Sequence, residues 1–224
     1  MENKTGKYFK YAIGEIILVV IGILLALQIN NWNDVRKNQN YEQEILYLIS
    51  QNLTNDSIAL SKELFKSKEA NELTNRLIKQ VALKNYSDSL NFWMGKIISF
   101  ERFKSQSSAF EVLKSKGIET VSNNDLQLAL ISYYDEMLYN VYQSLNDVEH
   151  AFKVDWQPVI KQEFSDFKWR EYCVPIDSKA FFENPSNPTF FKLYKDNRSG
   201  SVRNIGLALE RISEIKRLIK KEQQ

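Results

Sequence analysis

Enzyme chemistry needs particular side chains in particular company, and this chain is short of them. Its 224 residues include one histidine, His150, and one cysteine, Cys173. A His-Glu-x-x-His zinc site needs two histidines one helical turn apart, and Cys-x-x-Cys needs two thiols, so neither motif exists here. A nucleophilic dyad of Cys173 and His150 is arithmetically allowed, but nothing in their surroundings supports one. His150 follows Glu149 beside an apolar helix stripe, where a half-exposed helix histidine is the ordinary reading. There is neither a Walker A loop nor Gly-x-Gly-x-x-Gly to cradle phosphate. Neighbouring carboxylates such as Asp135-Glu136 read as helix surface rather than a general acid–base pair. The expectation is a protein that is not an enzyme, with no catalytic, cofactor-binding or metal-ligating residues.

Glu15 is the ionisable residue in the most unusual setting. It interrupts an apolar run from Tyr11 to Ile29, YAIGEIILVVIGILLALQI. Ala12 to Ile29 as a helix covers roughly 27 Å, the thickness of a bilayer's hydrocarbon core. Tyr8, Phe9 and Tyr11 before it and Trp32 after it stand at interfacial depth. The run is longer than a signal-peptide core, and Ala26-Leu27-Gln28 is a poor cleavage site, so an uncleaved signal anchor is expected. Lys4, Lys7 and Lys10 precede it with Glu2 as the one acidic residue there, whereas Asn30, Asn31, Asn33 and Asp34 open the far side, and Arg36 and Lys37 come later. The positive-inside rule then places the N-terminus in the cytoplasm and the large remainder outside.

On a helical wheel Glu15, Gly22 and Ile29 recur every seven residues, with Val19 and Ala26 beside them. Gly22-x-x-x-Ala26 is a small-residue stripe of the kind that lets membrane helices approach closely. Two readings stay open for the carboxyl. It lies in a seam with a second copy or another membrane protein, or it sits about one turn from the cytoplasmic edge and reaches headgroups and water. An ion or proton path is a third.

The runs Lys7-Tyr8, Tyr11-Ala12-Ile13-Gly14-Glu15-Ile16, Val19-Val20-Ile21-Gly22-Ile23-Leu24 and Ala26-Leu27-Gln28-Ile29-Asn30-Asn31-Trp32-Asn33 together resemble the N-terminal signature of an uncharacterised single-pass membrane-protein family common in Bacteroidota. Phe110-Glu111-x-Leu113-Lys114-Ser115-x-Gly117 and Tyr133-Tyr134 are similar to later parts of that family. The resemblance implies a bacterial inner-membrane protein with a periplasmic domain. It transfers no catalytic residues, because the family has no established activity. Asp56-Ser57-Ile58 and Asp88-Ser89-Leu90 also resemble a short O-glycosylation motif, a weak signal at three residues.

The rest of the chain reads as helices. Seven glycines and four prolines are few, and few breakers favour helices over a turn-rich sheet protein. Residues 39–83 contain neither, and their apolar positions, Leu46, Ile49, Leu53, Leu60 and Leu64, then Leu73, Leu77 and Val81, have helical spacing interrupted near Ser67 to Asn71. Ser87-Asp88 caps a shorter helix, and Ser105 to Lys116 forms another, ended by Gly117. Ser122-x-x-Asp125 caps the clearest one, with its stripe at Leu126, Leu130, Tyr134, Met137, Val141, Leu145, Val148 and Phe152. All four prolines fall between Phe152 and Tyr194 among many aromatics. Those aromatics either plug the end of a bundle or form a partner or ligand surface from Trp156, Trp169, Phe181, Phe182, Phe190 and Phe191. Asn197 to Ser201 reads as a turn before a last helix with Val202, Ile205, Leu209, Ile212, Ile215 and Ile219.

With 30 basic against 28 acidic residues the net charge is +2, too balanced to suggest nucleic acid. A single cysteine also excludes an internal disulfide. The expected organisation is a cytoplasmic stub (1–10), a transmembrane helix (11–29), a juxtamembrane linker (30–38) and a periplasmic helical-bundle domain (39–224). The fold class is all-α, with an irregular aromatic- and proline-rich segment. The expected role is a structural or accessory subunit that associates with itself or another membrane protein in the lipid bilayer. A periplasmic sensor or small-molecule-binding module is the alternative.

Overall fold

The computed structural model describes the backbone of residues 4–222 and the side chains of residues 13–222. The basic residues Lys4, Lys7 and Lys10 and the aromatics Tyr8, Phe9 and Tyr11 have side chains outside that set. The fold is all-α and fits an N-terminal transmembrane helix. The chain divides into two compact units, Met1–Leu46 and Tyr47–Gln224.

Helix α1 (Lys4–Ala82) begins in the first unit. Every side chain from Ile13 to Ile29 is exposed, including Glu15 and the large aliphatics around it. Residues 30–38, expected as a linker, are helical as well. No glycine or proline interrupts the stretch, so the backbone has no reason to break there.

In the second unit α1 turns Ile49, Leu53, Asp56, Leu60, Glu63, Ser67, Ala70, Thr74 and Leu77 inward, all buried. Their spacing alternates four and three without a gap, the period of a helix packed along one seam. The apparent interruption near Ser67 is therefore not an interruption of the helix face. Polar residues simply occupy core positions there.

Helix α2 (Ser89–Ile97) and helix α3 (Ser108–Lys116) follow, the latter stopped by Gly117 at φ 116°. Only glycine adopts that conformation cheaply. A long rod then runs through α4 (Asn124–Ile131), a π-helical turn (Ser132–Met137), α5 (Leu138–Ala151), a second π turn (Phe152–Trp156) and α6 (Gln157–Glu163). Its cap is Asn123 rather than Ser122: Asn123 Oδ1 accepts from Leu126 N at 3.0 Å. A π turn inserts an extra residue and rotates the face that follows. Tyr133 and Tyr134 are thus both buried, and Leu138 takes the inward position expected of Met137. The second π turn precedes Pro158, whose ring and missing N–H disrupt the regular bond pattern one turn earlier.

Strands β1 (Phe164–Lys168) and β2 (Tyr172–Pro175) form an antiparallel hairpin, with Phe167 opposite Cys173. Helix α7 (Ser178–Glu183) ends just before Pro185, and α8 (Ser186–Glu222) is one unbroken helix. The turn expected at Asn197 to Ser201 is not there. Pro188 is tolerated because it lies in the first turn of α8, where no intrahelical N–H bond is required. Farther along, Tyr194, Arg198, Ser201, Ile205, Ala208 and Ile212 are buried in the same four-and-three rhythm as α1.

Candidate functional site

Residues 98–107, between α2 and α3, form a strap without helix or strand. Its backbone polar groups, partly buried, need side-chain partners. Helix α8 supplies two. Arg198 Nη1 donates to Ile97 O at 2.6 Å and Nη2 to Ser99 O, while Tyr194 OH donates to Ile98 O at 3.0 Å. These carbonyls end α2, so the guanidinium also meets the negative end of a helix dipole. Helix α1 supplies Asp56, only 1% exposed. Its Oδ1 accepts from Gln106 N at 2.9 Å, and its Oδ2 accepts from Ser105 Oγ and from Tyr133 OH at 2.8 Å. Ser105 N donates to Tyr142 OH at 3.0 Å.

The two later stretches singled out in the sequence meet here. Phe110 stacks on Tyr134 with ring centroids 4.3 Å apart, and Lys114 pairs with Asp135 at 2.9 Å. The adjacent Tyr133 reaches across to Asp56. The Tyr134 hydroxyl is buried and has no hydrogen-bond partner among the described residues.

The hairpin tip closes over the strap. Gly95 of α2 lies so close to its backbone that an added Cβ would fall 2.5 Å from Glu171 C and 2.7 Å from Glu171 O. Trp169 packs edge-on against Phe100 and Phe152, both at 5.0 Å between centroids. Arg170 holds φ 63°, a left-handed conformation that costs a non-glycine residue about 1–2 kcal/mol. That geometry sets its guanidinium 2.6 Å from Glu101 Oε2, while Lys66 pairs with the other oxygen of the same carboxylate.

Beneath the tip lies a cavity of about 160 Å³. Glu63, Ser67, Arg198 and the apolar Ala70, Leu145 and Val148 are its buried lining; Lys66, Lys96, Glu101 and Arg170 are more open. Glu63 is 9% exposed, and it accepts a hydrogen bond from Ser67 Oγ at 3.2 Å. Burial, helped by the nearby Glu101, pushes this carboxyl up to about 7, against the opposing pull of Ser67, Lys66 and Arg198. Burial pulls the Arg198 guanidinium below its usual value, and Tyr194 and Glu63 oppose that. Arg198 is 4% exposed and has no carboxylate at ion-pair distance among the described residues. The cavity thus holds a buried guanidinium and a carboxyl that titrates near neutrality. Such perturbed groups in a cleft are a common mark of a binding site.

The residues anticipated from the sequence lie elsewhere. Glu15, Val19, Gly22, Ala26 and Ile29 are all exposed on α1, and a Cβ added at Gly22 would meet nothing within 4 Å. Trp156, Phe181, Phe182 and Phe191 are buried in one cluster with Leu77, Met94 and Tyr194, and Trp169 and Phe190 are half-buried. Those four lack the exposure that a partner surface needs. His150 is exposed, and Cys173 is buried, its thiol pushed up to about 12 by burial and hence protonated at neutral pH. Ser57 is half-buried in the middle of α1, whereas Ser89 is exposed at the start of α2. Glu63, Lys66, Glu101, Arg170 and Arg198 were not anticipated. The legible signal was that Glu63 and Ser67 on α1, and Arg198 and Ser201 on α8, fall at the helical spacing of the apolar seam positions.

The architecture defines a class: an all-α protein with a helix at its N-terminal end long and apolar enough to cross a membrane. A family model described as a family of unknown function (DUF6090) matches residues 15–152, more than half of the chain, and the chain belongs to that family. No curated protein and no solved structure matches it. The matched region runs from the apolar helix to the end of α5 and includes Asp56, Glu63, Lys66, Glu101 and Tyr133; Arg170 and Arg198 lie beyond it.

Proposed function

We propose that this protein is a membrane-anchored accessory subunit of the bacterial inner membrane that acts by association and not by catalysis. The apolar part of α1 crosses the bilayer, the N-terminus is cytoplasmic, and the helical unit works in the periplasm. One observation carries this reading: twelve large aliphatic side chains between Ile13 and Ile29 are exposed. At about 1.5 kcal/mol each, their transfer out of water is worth roughly 18 kcal/mol. That exceeds the roughly 3 kcal/mol penalty for a carboxylate in a spanning helix, so Glu15 does not prevent insertion. The lysines before the span support the orientation.

Association runs through the face bearing Glu15, Val19, Gly22, Ala26 and Ile29, with a second copy or another membrane helix as partner. The test is the mass of the full-length protein in mild detergent. Gly22→Leu and Glu15→Leu are each expected to lower it; an unchanged mass for both overturns association through this face. Recovery of the intact chain in the soluble fraction overturns the anchor, and a protease-resistant C-terminal part in spheroplasts overturns the orientation.

A second reading, a small-molecule-binding module outside the membrane, draws support from the cavity under the hairpin tip. The 152–194 aromatics, largely packed together, offer it none.

A further inference from the structure

We infer that the cavity bounded by α1, α5, α8, the strap and the hairpin tip binds a small monocarboxylate with a compact apolar body. This assigns a ligand class to the small-molecule-binding reading and rests on it.

Size sets the first limit. A cavity of about 150 Å³ accommodates a benzene ring, so a space of about 160 Å³ admits a body of that order with its carboxylate turned toward polar lining. Ala70, Leu145 and Val148 provide an apolar wall for such a body.

Charge sets the second. Lys66, Lys96, Arg170 and Arg198 stand against Glu63, Glu69 and Glu101 in the lining, a surplus of positive charge even with every carboxyl ionised. Three of the cations are paired, Lys66 and Arg170 with Glu101 and Lys96 with Glu69. Arg198 is the exception: it is buried and bonded to the Ile97 and Ser99 carbonyls and to Tyr194, and among the described residues no carboxylate lies at ion-pair distance, Glu63 acting on it only from farther off. A buried charge lacking its opposite is costly, and a ligand carboxylate supplies that opposite. Ammonium groups also carry three N–H donors each, so Lys66 and Lys96 retain donors beyond their ion pairs. An ammonium ligand would add to the positive surplus.

Glu69 and Glu101 are neutralised by their ion pairs, whereas Glu63 opposes an anion from the buried lining, and protonation turns it from a repelling charge into a donor. The charged groups around it are Lys66 and Glu69 on α1, Lys96 on α2, Glu101 on the strap, Arg170 on the hairpin and Arg198 on α8; α5 contributes only Leu145 and Val148. Since Glu63 titrates at about 7, binding takes up a proton and weakens as pH rises. Arg170, whose left-handed conformation belongs to the three-residue turn between β1 and β2, stands at the cavity mouth.

The test uses the full-length protein in detergent, with benzoate as the probe and benzylamine and benzyl alcohol as cationic and neutral controls of similar size. Calorimetric titration at pH 6 and pH 8 is expected to show benzoate binding in preference to both controls, about tenfold weaker at pH 8, with proton uptake visible as a buffer-dependent heat. Glu63→Gln is expected to abolish the pH dependence, and Lys66→Met to weaken benzoate severalfold; cooperative unfolding of each variant verifies its fold. Preference for benzylamine overturns the carboxylate assignment but leaves a ligand-binding module. Absence of binding by all three probes overturns both. A pH dependence unchanged in Glu63→Gln overturns the placement of the site, and the wild-type pH profile alone tests the sign even if that variant fails to fold.

Discussion

Replacing Glu63 by glutamine provides a quantitative test of the buried cluster. The carboxyl titrates at about 7 in the folded protein against an ordinary value of 4.5, chiefly because burial disfavours its charged form. At about 1.4 kcal/mol per tenfold change in proton affinity, the difference is worth roughly 3 kcal/mol. The native state holds this proton more tightly than the unfolded chain does. The stability that the protonated form confers is therefore fully present below pH 4.5, declines as pH rises, and is lost once pH passes about 7. Glutamine keeps the shape and the acceptor for Ser67 but does not titrate. The variant is expected to match the wild type at pH 4.5 and to exceed it by about 2–3 kcal/mol at pH 8, a large share of a typical folding free energy. Urea unfolding of the full chain in detergent, followed by tryptophan fluorescence, to which the buried Trp156 contributes, measures both proteins across that range. Subtracting the two curves removes every other titrating group. A difference that stays flat with pH, or a variant less stable at pH 8, would refute the reasoning that Glu63 is buried without adequate charge compensation.

Two further perturbations probe the elements that frame the cavity. Gly95→Ala puts a methyl group against the backbone of Glu171 and Tyr172; backbone cannot rotate aside, so a loss of about 1–3 kcal/mol is expected, along with quenching changes at Trp169 as the hairpin lifts, and an unaltered melting temperature would contradict the close packing. Asp56→Ala strands three donors, Gln106 N, Ser105 Oγ and Tyr133 OH, and should cost at least about 3 kcal/mol in chemical unfolding. Tyr134→Phe should be neutral or stabilising by up to about 1 kcal/mol in the same assay, because it removes a buried hydroxyl without a partner; equal losses in these two variants would show that the cluster is misread.

Much of the framework was legible before any coordinates, because helix formation is a local matter. The apolar run from Ala12 to Ile29, the absence of glycine and proline from 39–83, the Gly117 stop and the stripe beginning at Leu126 each act through neighbours within one or two turns. Those signals led to an all-α fold with an N-terminal helix suited to a membrane. Local reasoning failed where the partner of a side chain decides its role. Asn197 to Ser201 has the composition of a turn, yet Arg198 and Ser201 are helix positions whose polar groups reach Ile97, Ser99 and Ser144 carbonyls on other elements. The rotation introduced by the π turns likewise put Leu138 in place of Met137.

The candidate site belongs wholly to that second category. Glu63, Glu101, Arg170 and Arg198 come from four separate segments, and no short motif links them. The amino-acid order by itself determined which segments coil, where they stop, and which stretch is too apolar for water. The tertiary structure alone decided that polar residues on the seams of α1 and α8 face one another across a strap and a hairpin tip. Helix propensity and apolar spacing are summed along the chain, whereas the charge balance and dielectric around a buried ionisable group depend on distant residues brought together only by folding.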